Sequence, residues 1–265
     1  MKSEMARKSY SSDLTDAQWQ RLEPLLPAAR PGGRPRTTSL REVLDAIFYF
    51  LRAGCSWRDL PGDLPPWGTV WTYFRNWRDG GILEQVHDTL RGQVRTAAGK
   101  DVDPSAGSLD SQSVKTTDTP GPRGFDAGKK VKGRKRHLLV DTLGLMHGLV
   151  VHSAAVQDRD GAKLVIEQVK DRMPRLERVW ADSGYQGTLV AWVAEKTGWT
   201  LEIVKRPDEA EGVVLVAHRW VVERTFAWLV KCRRLRASYE ATEASEEALI
   251  RLAMIGVMLR RLCRT

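Results

Sequence analysis

Acidic residues occur at three places in the sequence where a carboxylate needs a particular reason to be present. Asp110 lies inside a predicted strand, and Asp is disfavoured in strand interiors. Asp182 comes at the carboxyl end of another predicted strand, where the ligand sites of open α/β sheets gather. Glu223 lies on a predicted helix that is otherwise apolar and basic. If they converge, these carboxylates supply the hard oxygen ligands that two Mg²⁺ ions prefer.

Two such ions define a specific chemistry. Metal ions about 3.5–4 Å apart clamp the attacking and leaving oxygens of an in-line phosphoryl displacement. Each acid also has a purely structural explanation. Asp182 could cap a helix and Asp110 could form local hydrogen bonds, while Glu223 could pair with Arg219 or Arg224. Spacing alone leaves both kinds of explanation open.

The charge balance indicates an anionic partner. The chain of 265 residues has a formal net charge of +9 at pH 7. Such a surplus attracts polyanions, of which nucleic acid is the commonest. A basic protein without such a partner would have the same composition, so motifs must decide.

Cysteine usage and hydropathy limit the cellular compartments in which the protein is expected. Cys55, Cys232 and Cys263 are far apart, with no disulfide framework and no Cys/His cluster typical of a zinc site. The first residues lack the apolar region of a signal peptide, and the apolar stretch Leu249–Leu259 is too short to span a bilayer. We therefore expect a cytoplasmic protein without a membrane partner.

The first third of the chain reads as helices. Thr15 with Gln18, and Ser39 with Glu42, form capping boxes before apolar residues at helical spacing. A third helix over 69–79 leaves polar side chains facing outward, namely Arg75, Asn76 and Arg78. Two helices separated by a compact turn, the second with such residues, fit a helix-turn-helix DNA reader. A plain helical bundle with a basic face fits equally well.

The periodicity of the apolar residues changes after this helical part. Residues 98–107 are small and polar and predict a linker between a helical domain over 1–97 and a second domain over 108–265. The second domain begins with a strand at Leu109–Lys115 and a hairpin around Thr142–Gly144, in which Asp141 is expected to be a turn residue. Helices and strands alternate afterwards, up to final helices over 218–235 and 245–262. This order predicts a mixed α/β sheet.

Basic residues form two further groups that could hold the DNA backbone. One group follows the Asp110 strand on a loop that nearby glycines predict to be mobile, and its members are Lys129, Lys130, Lys132, Arg134, Lys135 and Arg136. The other group comes after the Glu223 helix and contains Arg233, Arg234 and Arg236. Contacts of this kind position DNA but do not read its sequence. The alternative for both groups is a solvated charge run.

Several stretches together resemble bacterial insertion-sequence transposases of the DDE class, especially the family-five group. They run from about residue 13 to 240 and are Leu14–Trp19, Pro35–Arg36, Cys55–Pro61, Trp71–Phe74, Leu109–Lys115, Lys132–His137, Ala181–Tyr185 and Arg219–Trp228. The resemblance implies an RNase H-like catalytic domain of mixed sheet and flanking helices, preceded by an all-α, helix-turn-helix-like domain. It also implies that Asp110, Asp182 and Glu223 are the catalytic metal ligands, in that order.

Related transposases have a Tyr-x2-Arg-x3-Glu-x6-Lys signature on the helix of the third acid. Arg219 and Glu223 match it, whereas Val216 and Val230 replace the Tyr and Lys, and Lys231 follows one residue later. Arg219 and Lys231 are therefore added to the expected DNA contacts. The short separation between Asp182 and Glu223 leaves no room for a large insertion domain.

The resemblance implies a cut-and-paste transposase that binds the terminal inverted repeats of its element. Two Mg²⁺ ions, with Mn²⁺ as a substitute, would support cleavage and strand transfer on double-stranded DNA, both element ends and target. A homo-oligomer is expected in the synaptic complex. One alternative is an RNase H-like nuclease or resolvase that cuts without strand transfer. Another is an inactive DNA-binding repressor from a decayed element.

Overall fold

The computed structural model describes residues 7–29, 36–204 and 219–264. The first part forms helices, as predicted, with bounds Asp16–Leu22 (α1), Leu40–Ala53 (α2), Trp67–Asp79 (α3) and Ile82–Ala97 (α4). Both predicted N-caps are present: the Thr15 hydroxyl accepts the Gln18 backbone N–H, and the Ser39 hydroxyl accepts that of Glu42. These bonds satisfy donors that the first turn of a helix leaves without partners.

The connection between α2 and α3 is longer than the compact turn that the sequence predicts. Within residues 54–66, the Trp57 ring stacks on Phe50 of α2 with ring centroids 3.7 Å apart. Trp57 also lies 5.3 Å from Phe74 of α3. The two helices are thus joined by a packed segment that is longer than the turn of about 3–4 residues in a helix-turn-helix. The DNA-reading role of α3 stays a prediction.

The second part contains the predicted mixture of strands and helices. The strands are Ala106–Lys115 (β1), Gly124–Asp126 (β2), Val131–Asp141 (β3), Met146–Ser153 (β4), Arg178–Ala181 (β5) and Thr200–Ile203 (β6). The helices are Asp158–Val169 (α5), Thr188–Thr197 (α6), Trp220–Leu229 (α7) and Glu243–Leu262 (α8). The predicted helix start at His218 lies outside the described residues.

These strands form one mixed sheet with β1 at its centre. β1 runs antiparallel to β3 and parallel to β5, and β6 adds to β5 in parallel. On the far edge of β3, β4 pairs with residues 134–140 and β2 with residues 131–133. The β3–β4 hairpin confirms the predicted turn, because the Asp141 carboxylate accepts the backbone N–H groups of Leu143 and Leu145.

β3 begins earlier than predicted, so the part of the basic run from Lys132 to Arg136 lies in a strand and not in a mobile loop, while Lys129 and Lys130 lie in the turn before it. Arg134 and Arg136 face α8 and form buried ion pairs with Glu246, at 3.3 and 2.6 Å. Lys135 points to the opposite face, where its amino group bonds Asp158 at 2.8 Å. The prediction that these three side chains contact DNA is wrong, because a charge buried at this depth must be paired inside the protein.

Two hydrophobic clusters lie on opposite faces of the sheet. α5 and α6 cover one face. On the other face, α8 packs against β4 and also against α2, α3 and α4, so a single apolar cluster runs from the N-terminal helices to the sheet. The predicted boundary between a helical domain ending at residue 97 and a second domain starting at residue 108 stays a prediction. Helix α8 packs against elements on both sides of this boundary. In the described ranges no helix has the length and apolar character needed to cross a membrane.

Candidate active site

Asp110 occupies the central strand and is largely enclosed. Its Oδ1 accepts the backbone N–H of Ser111 at 2.7 Å, and its side chain is 14% exposed. Burial raises the pKa of Asp110 to about 6, with a further increase from the negative charge of Asp182, against the lowering effect of the Ser111 N–H. A neighbouring cation would therefore stabilise the ionised form of this buried carboxyl group.

Asp182 stands beside Asp110 because of the strand register. The parallel pairing of β1 and β5 sets Ser108 opposite Trp180, and each acid follows two residues later along the chain, Asp110 within β1 and Asp182 directly after β5. Since side chains two positions apart share a face, both carboxylates project from the same side of the sheet. Asp182 Oδ1 accepts the Gly184 N–H at 2.7 Å, so the structural alternative for this acid, a helix cap, is present in the form of a short 3₁₀ turn.

Glu223 comes from a different element. It lies in the first turn of α7, which packs across β1 and β3, and its side chain is 55% exposed. Arg219, one helical turn earlier, points to the same face of the helix. The structural pairing of Glu223 with Arg219 is therefore present, at 3.7 Å between Oε1 and Nη2.

The carboxylates of the three acids surround a single nitrogen of Arg219. Its Nη2 lies 3.8 Å from Asp110 Oδ2, 3.6 Å from Asp182 Oδ2 and 3.7 Å from Glu223 Oε1. These separations exceed hydrogen-bond lengths, so the guanidinium acts as a positive charge in the middle of the acids without being tightly bonded to any. The adjacent Arg219 Nε is buried and lacks a hydrogen-bond partner among the described residues.

The three carboxylates are chemically suitable ligands for a divalent metal ion. Three carboxylates that surround a positive charge are the oxygen ligands that Mg²⁺ and Mn²⁺ prefer. As they stand, no three His, Cys, Asp or Glu side chains within the described ranges are close enough together to hold a metal ion. Arg219 Nη2 occupies the centre of the acids, so a metal ion there requires the guanidinium to leave.

A second layer of polar groups, which the sequence analysis missed, supports the Asp110 strand. Lys129 Nζ donates to both Ser111 O and Ser111 Oγ at 2.9 Å. Ser111 Oγ in turn donates to Asp158 Oδ1 at 2.9 Å, and Lys135 Nζ neutralises that same oxygen. In the sequence, Asp158 resembles an ordinary acid in the first turn of a helix, so its position beside the strand has no local signal.

The other predicted DNA contacts separate into exposed and engaged side chains. Arg75 and Asn76 are exposed on α3, whereas Arg78 bonds Asp79 and Ser245 and so ties α3 to α8. Elsewhere Lys130, Lys132, Lys231 and Arg233 are exposed. Lys129 is also exposed, but its amino group is bonded to Ser111.

Arg234 is not available for DNA. It bonds Glu240 at 2.8 Å and Cys55 O at 3.0 Å, and its guanidinium lies over Phe50. The expectation of a phosphate contact there is wrong, because the side chain joins the α7–α8 connection to α2. Val216, the departure at the Tyr position of the signature, lies outside the described residues.

The β4–β3–β1–β5–β6 order, with the first acid on the central strand, the second after β5 and the third on a late helix, defines an RNase H-like domain. Comparison with known families identifies the protein family that contains this domain. The transposase DDE domain matches residues 102–258, and a family described as "Putative transposase of IS4/5 family" matches residues 14–87. The chain belongs to the DDE transposases, whose domain matches more than half of it, and its N-terminal part is similar to the IS4/5 family.

Three individual relatives are similar to parts of the chain, and one of them is named a transposase. The chain is 30% identical over 141 residues to a Burkholderia cepacia protein named "Putative transposase for insertion sequence element IS402", covering 50% of this chain and 64% of the relative. It is 31% identical over 108 residues to an uncharacterized 16.2 kDa protein of the same insertion element, with coverages of 38% and 72%. A Sinorhizobium fredii protein, y4sN, is 34% identical over 73 residues, with coverages of 28% and 58%.

Proposed function

We propose that the protein binds the terminal inverted repeats of its own insertion sequence and catalyses their metal-dependent cleavage and transfer to target DNA. The observation that carries this proposal is the convergence of Asp110, Asp182 and Glu223 on one positive charge. Phosphoryl transfer depends almost entirely on positioning and charge stabilisation, which a rigid cluster of acids can supply through metal ions.

Asp110, Asp182 and Glu223 would hold two Mg²⁺ ions, for which Mn²⁺ can substitute. When bound, the ions supply charge stabilisation at the attacking and leaving oxygens. The chain holds the two aspartates in advance, since each binds a backbone N–H through Oδ1 and turns Oδ2 to the centre. A divalent ion would also favour the ionised form of Asp110, because a nearby positive charge stabilises the carboxylate.

Arg219 has two successive roles in this proposal. Before metal binding it neutralises the acids, and afterwards its released guanidinium can contact a DNA phosphate near the reacting bond. A planar guanidinium suits phosphate because it donates two parallel hydrogen bonds. Arg219 is the N-cap residue of α7 and not part of the sheet, so displacement of its side chain would not require a change in the strands.

Exposed side chains supply the further DNA contacts. Arg75 and Asn76 would read the element ends from α3, while Lys129, Lys130, Lys132, Lys231 and Arg233 would hold phosphates. Synapsis of two ends would require a homo-oligomer, acting on DNA in the cytoplasm.

Cleavage of a supercoiled plasmid that carries the element ends, in Mg²⁺, tests the assignment. Asp110→Asn, Asp182→Asn and Glu223→Gln should each reduce cleavage by several orders of magnitude. Glu195→Gln is the matched control, because Glu195 is an exposed acid of α6 and should be dispensable. Full cleavage by any of the three site variants would refute the role of that residue.

The products distinguish the alternatives. Joining of the ends to a second plasmid supports transposition, whereas cut ends that never join indicate a nuclease or resolvase. Specific binding of the ends without any cleavage by the unmodified protein would indicate a repressor.

A further inference from the structure

A concave basic surface joins the N-terminal segment to the ends of three helices. It consists of two adjoining cavities of about 520 and 460 Å³, which share Ser11, Ser12, Arg52 and Lys231 in their walls. We name this surface the basic groove and define it by six cationic residues, Arg52, Lys231, Arg233, Arg236, Arg260 and Arg264.

The charges of the basic groove are not neutralised by the protein. All six side chains are exposed, and in the described part of the chain none of them forms a salt bridge with a carboxylate. The acid that lines the larger cavity, Asp13, already pairs with Arg7 at 3.0 Å. The contrast with Arg134 and Arg136, which are buried and paired, indicates that the groove charges face an external partner.

These cations also repel one another. The pKa of Arg260, which is exposed but partly covered by its neighbours, is lowered first by this partial burial and then by the positive charges of Arg52 and Arg264, against the raising effect of Cys232. α2, α7 and α8 all end at the groove, and a helix C-terminus is equivalent to roughly half a negative charge. Three such ends offset only a fraction of six positive charges, so the groove keeps a strong attraction for anions.

We infer that the basic groove binds the phosphate backbone of duplex DNA. The inference rests on the proposed function in taking DNA as the partner, and it adds α2, α8 and the N-terminal segment to the DNA-binding surface. Ser11 and Thr15 are exposed and contribute hydroxyl groups to the same walls, and hydroxyls together with Arg and Lys are the usual ligands of DNA phosphates.

The groove lies within reach of DNA engaged at the acids. Lys231 comes just after α7, the helix that carries Glu223. At 1.5 Å per residue, the two are separated by roughly 12 Å along the helix axis. This distance corresponds to about three to four base pairs of duplex, so DNA that enters the site has only to continue for a short way to meet the groove.

Binding of a fluorescein-labelled 30-base-pair duplex, followed by anisotropy in EDTA at several salt concentrations, tests the inference. Arg233→Gln/Arg236→Gln should lower the slope of log K against log[salt] by about 1.8, because each lost phosphate contact removes about 0.9. Affinity near 0.1 M salt should fall by roughly 10- to 60-fold. Lys100→Gln/Lys196→Gln removes the same charge from exposed sites outside the groove and should leave the slope unchanged.

A second pair, Lys231→Gln/Arg264→Gln, should reproduce the effect and excludes a local folding defect around Arg233. Equal losses in the groove and control pairs, or an unchanged slope in both groove pairs, would overturn the inference. So would competition by poly-glutamate as strong as that by unlabelled duplex, since the groove would then prefer acidic protein. The assay needs no cleavage, so an inactive protein can still bind through the groove, and an active one can fail this test alone.

Discussion

Asp110 and Asp182 are held in the same way: each carboxylate accepts a backbone N–H through Oδ1 at 2.7 Å and directs Oδ2 to Arg219 Nη2. The parallel register of β1 and β5 creates this equivalence, because it sets the two residues side by side. Structural and chemical explanations of these acids therefore do not compete, since one oxygen anchors the side chain and the other faces the shared positive charge.

Removal of the Arg219 guanidinium should destabilise the metal-free protein. With Arg219→Ala the three acids repel one another, and we expect a loss of about 1–3 kcal/mol, less than for a fully buried pair because the site is partly open. Thermal unfolding without metal measures this loss, and Arg219→Lys should restore part of it.

Addition of Mn²⁺ should then raise the unfolding temperature of Arg219→Ala more than that of the unmodified protein, because no guanidinium has to be displaced. An equal shift in both proteins would contradict the view that Arg219 occupies the metal position.

Loss of Glu246 should be among the most destabilising single changes. Glu246 is buried between Arg134 and Arg136, and Glu246→Gln leaves two buried guanidinium groups without a negative partner. We expect a decrease of about 3–5 kcal/mol in the free energy of unfolding, measured with urea. Glu243→Gln, in the first turn of the same helix, is the control and should cost less than about 1 kcal/mol. Similar costs for the two variants would contradict a structural role for the buried pairs.

Two helical glycines should respond to alanine in opposite directions. A Cβ at Gly161 of α5 would come within 2.3 Å of His137 Cε1 and 2.6 Å of His152 Nε2, so Gly161→Ala should cost about 1–3 kcal/mol. A Cβ at Gly92 of α4 would meet Val102 at an ordinary 3.5 Å, and Gly92→Ala should gain up to about 1 kcal/mol from helix propensity. Chemical denaturation of both variants checks the pair, and a neutral Gly161→Ala would show that the two histidines can move apart.

Stability should fall in mild acid through His147. Burial lowers the pKa of His147 to about 4, partly offset by its hydrogen bond to Asp141. The unfolded chain binds this proton below about pH 6.5 and the folded protein does not, so the contribution is complete above pH 6.5 and is lost as pH falls to about 4. The free energy of unfolding should decline by at most about 1.4 kcal/mol per pH unit from this group. Urea unfolding of His147→Gln at pH 7 and pH 5 should show a smaller decline, and an identical one would exclude His147 as a source.

Local chemistry was readable from the sequence alone. The caps at Thr15 and Ser39, the turn at Asp141 and the alternation of strands and helices depend on residues near one another in the chain, so their signals are local. Residue type and position on predicted elements single out Asp110, Asp182 and Glu223 as candidate metal ligands. The resemblance to DDE transposases implies their order.

Long-range pairing decided the rest. Whether a cation binds DNA or lies buried depends on what packs against it. Arg134 meets Glu246 across more than a hundred residues, and Arg234 meets the carbonyl of Cys55, which follows α2. The closeness of the three acids likewise depends on the register of β1 with β5 and on the packing of α7, neither of which has a local signal. The basic groove exists only because α2, α7 and α8 end at one place, so its charges, scattered along the sequence, become a surface only in the folded chain.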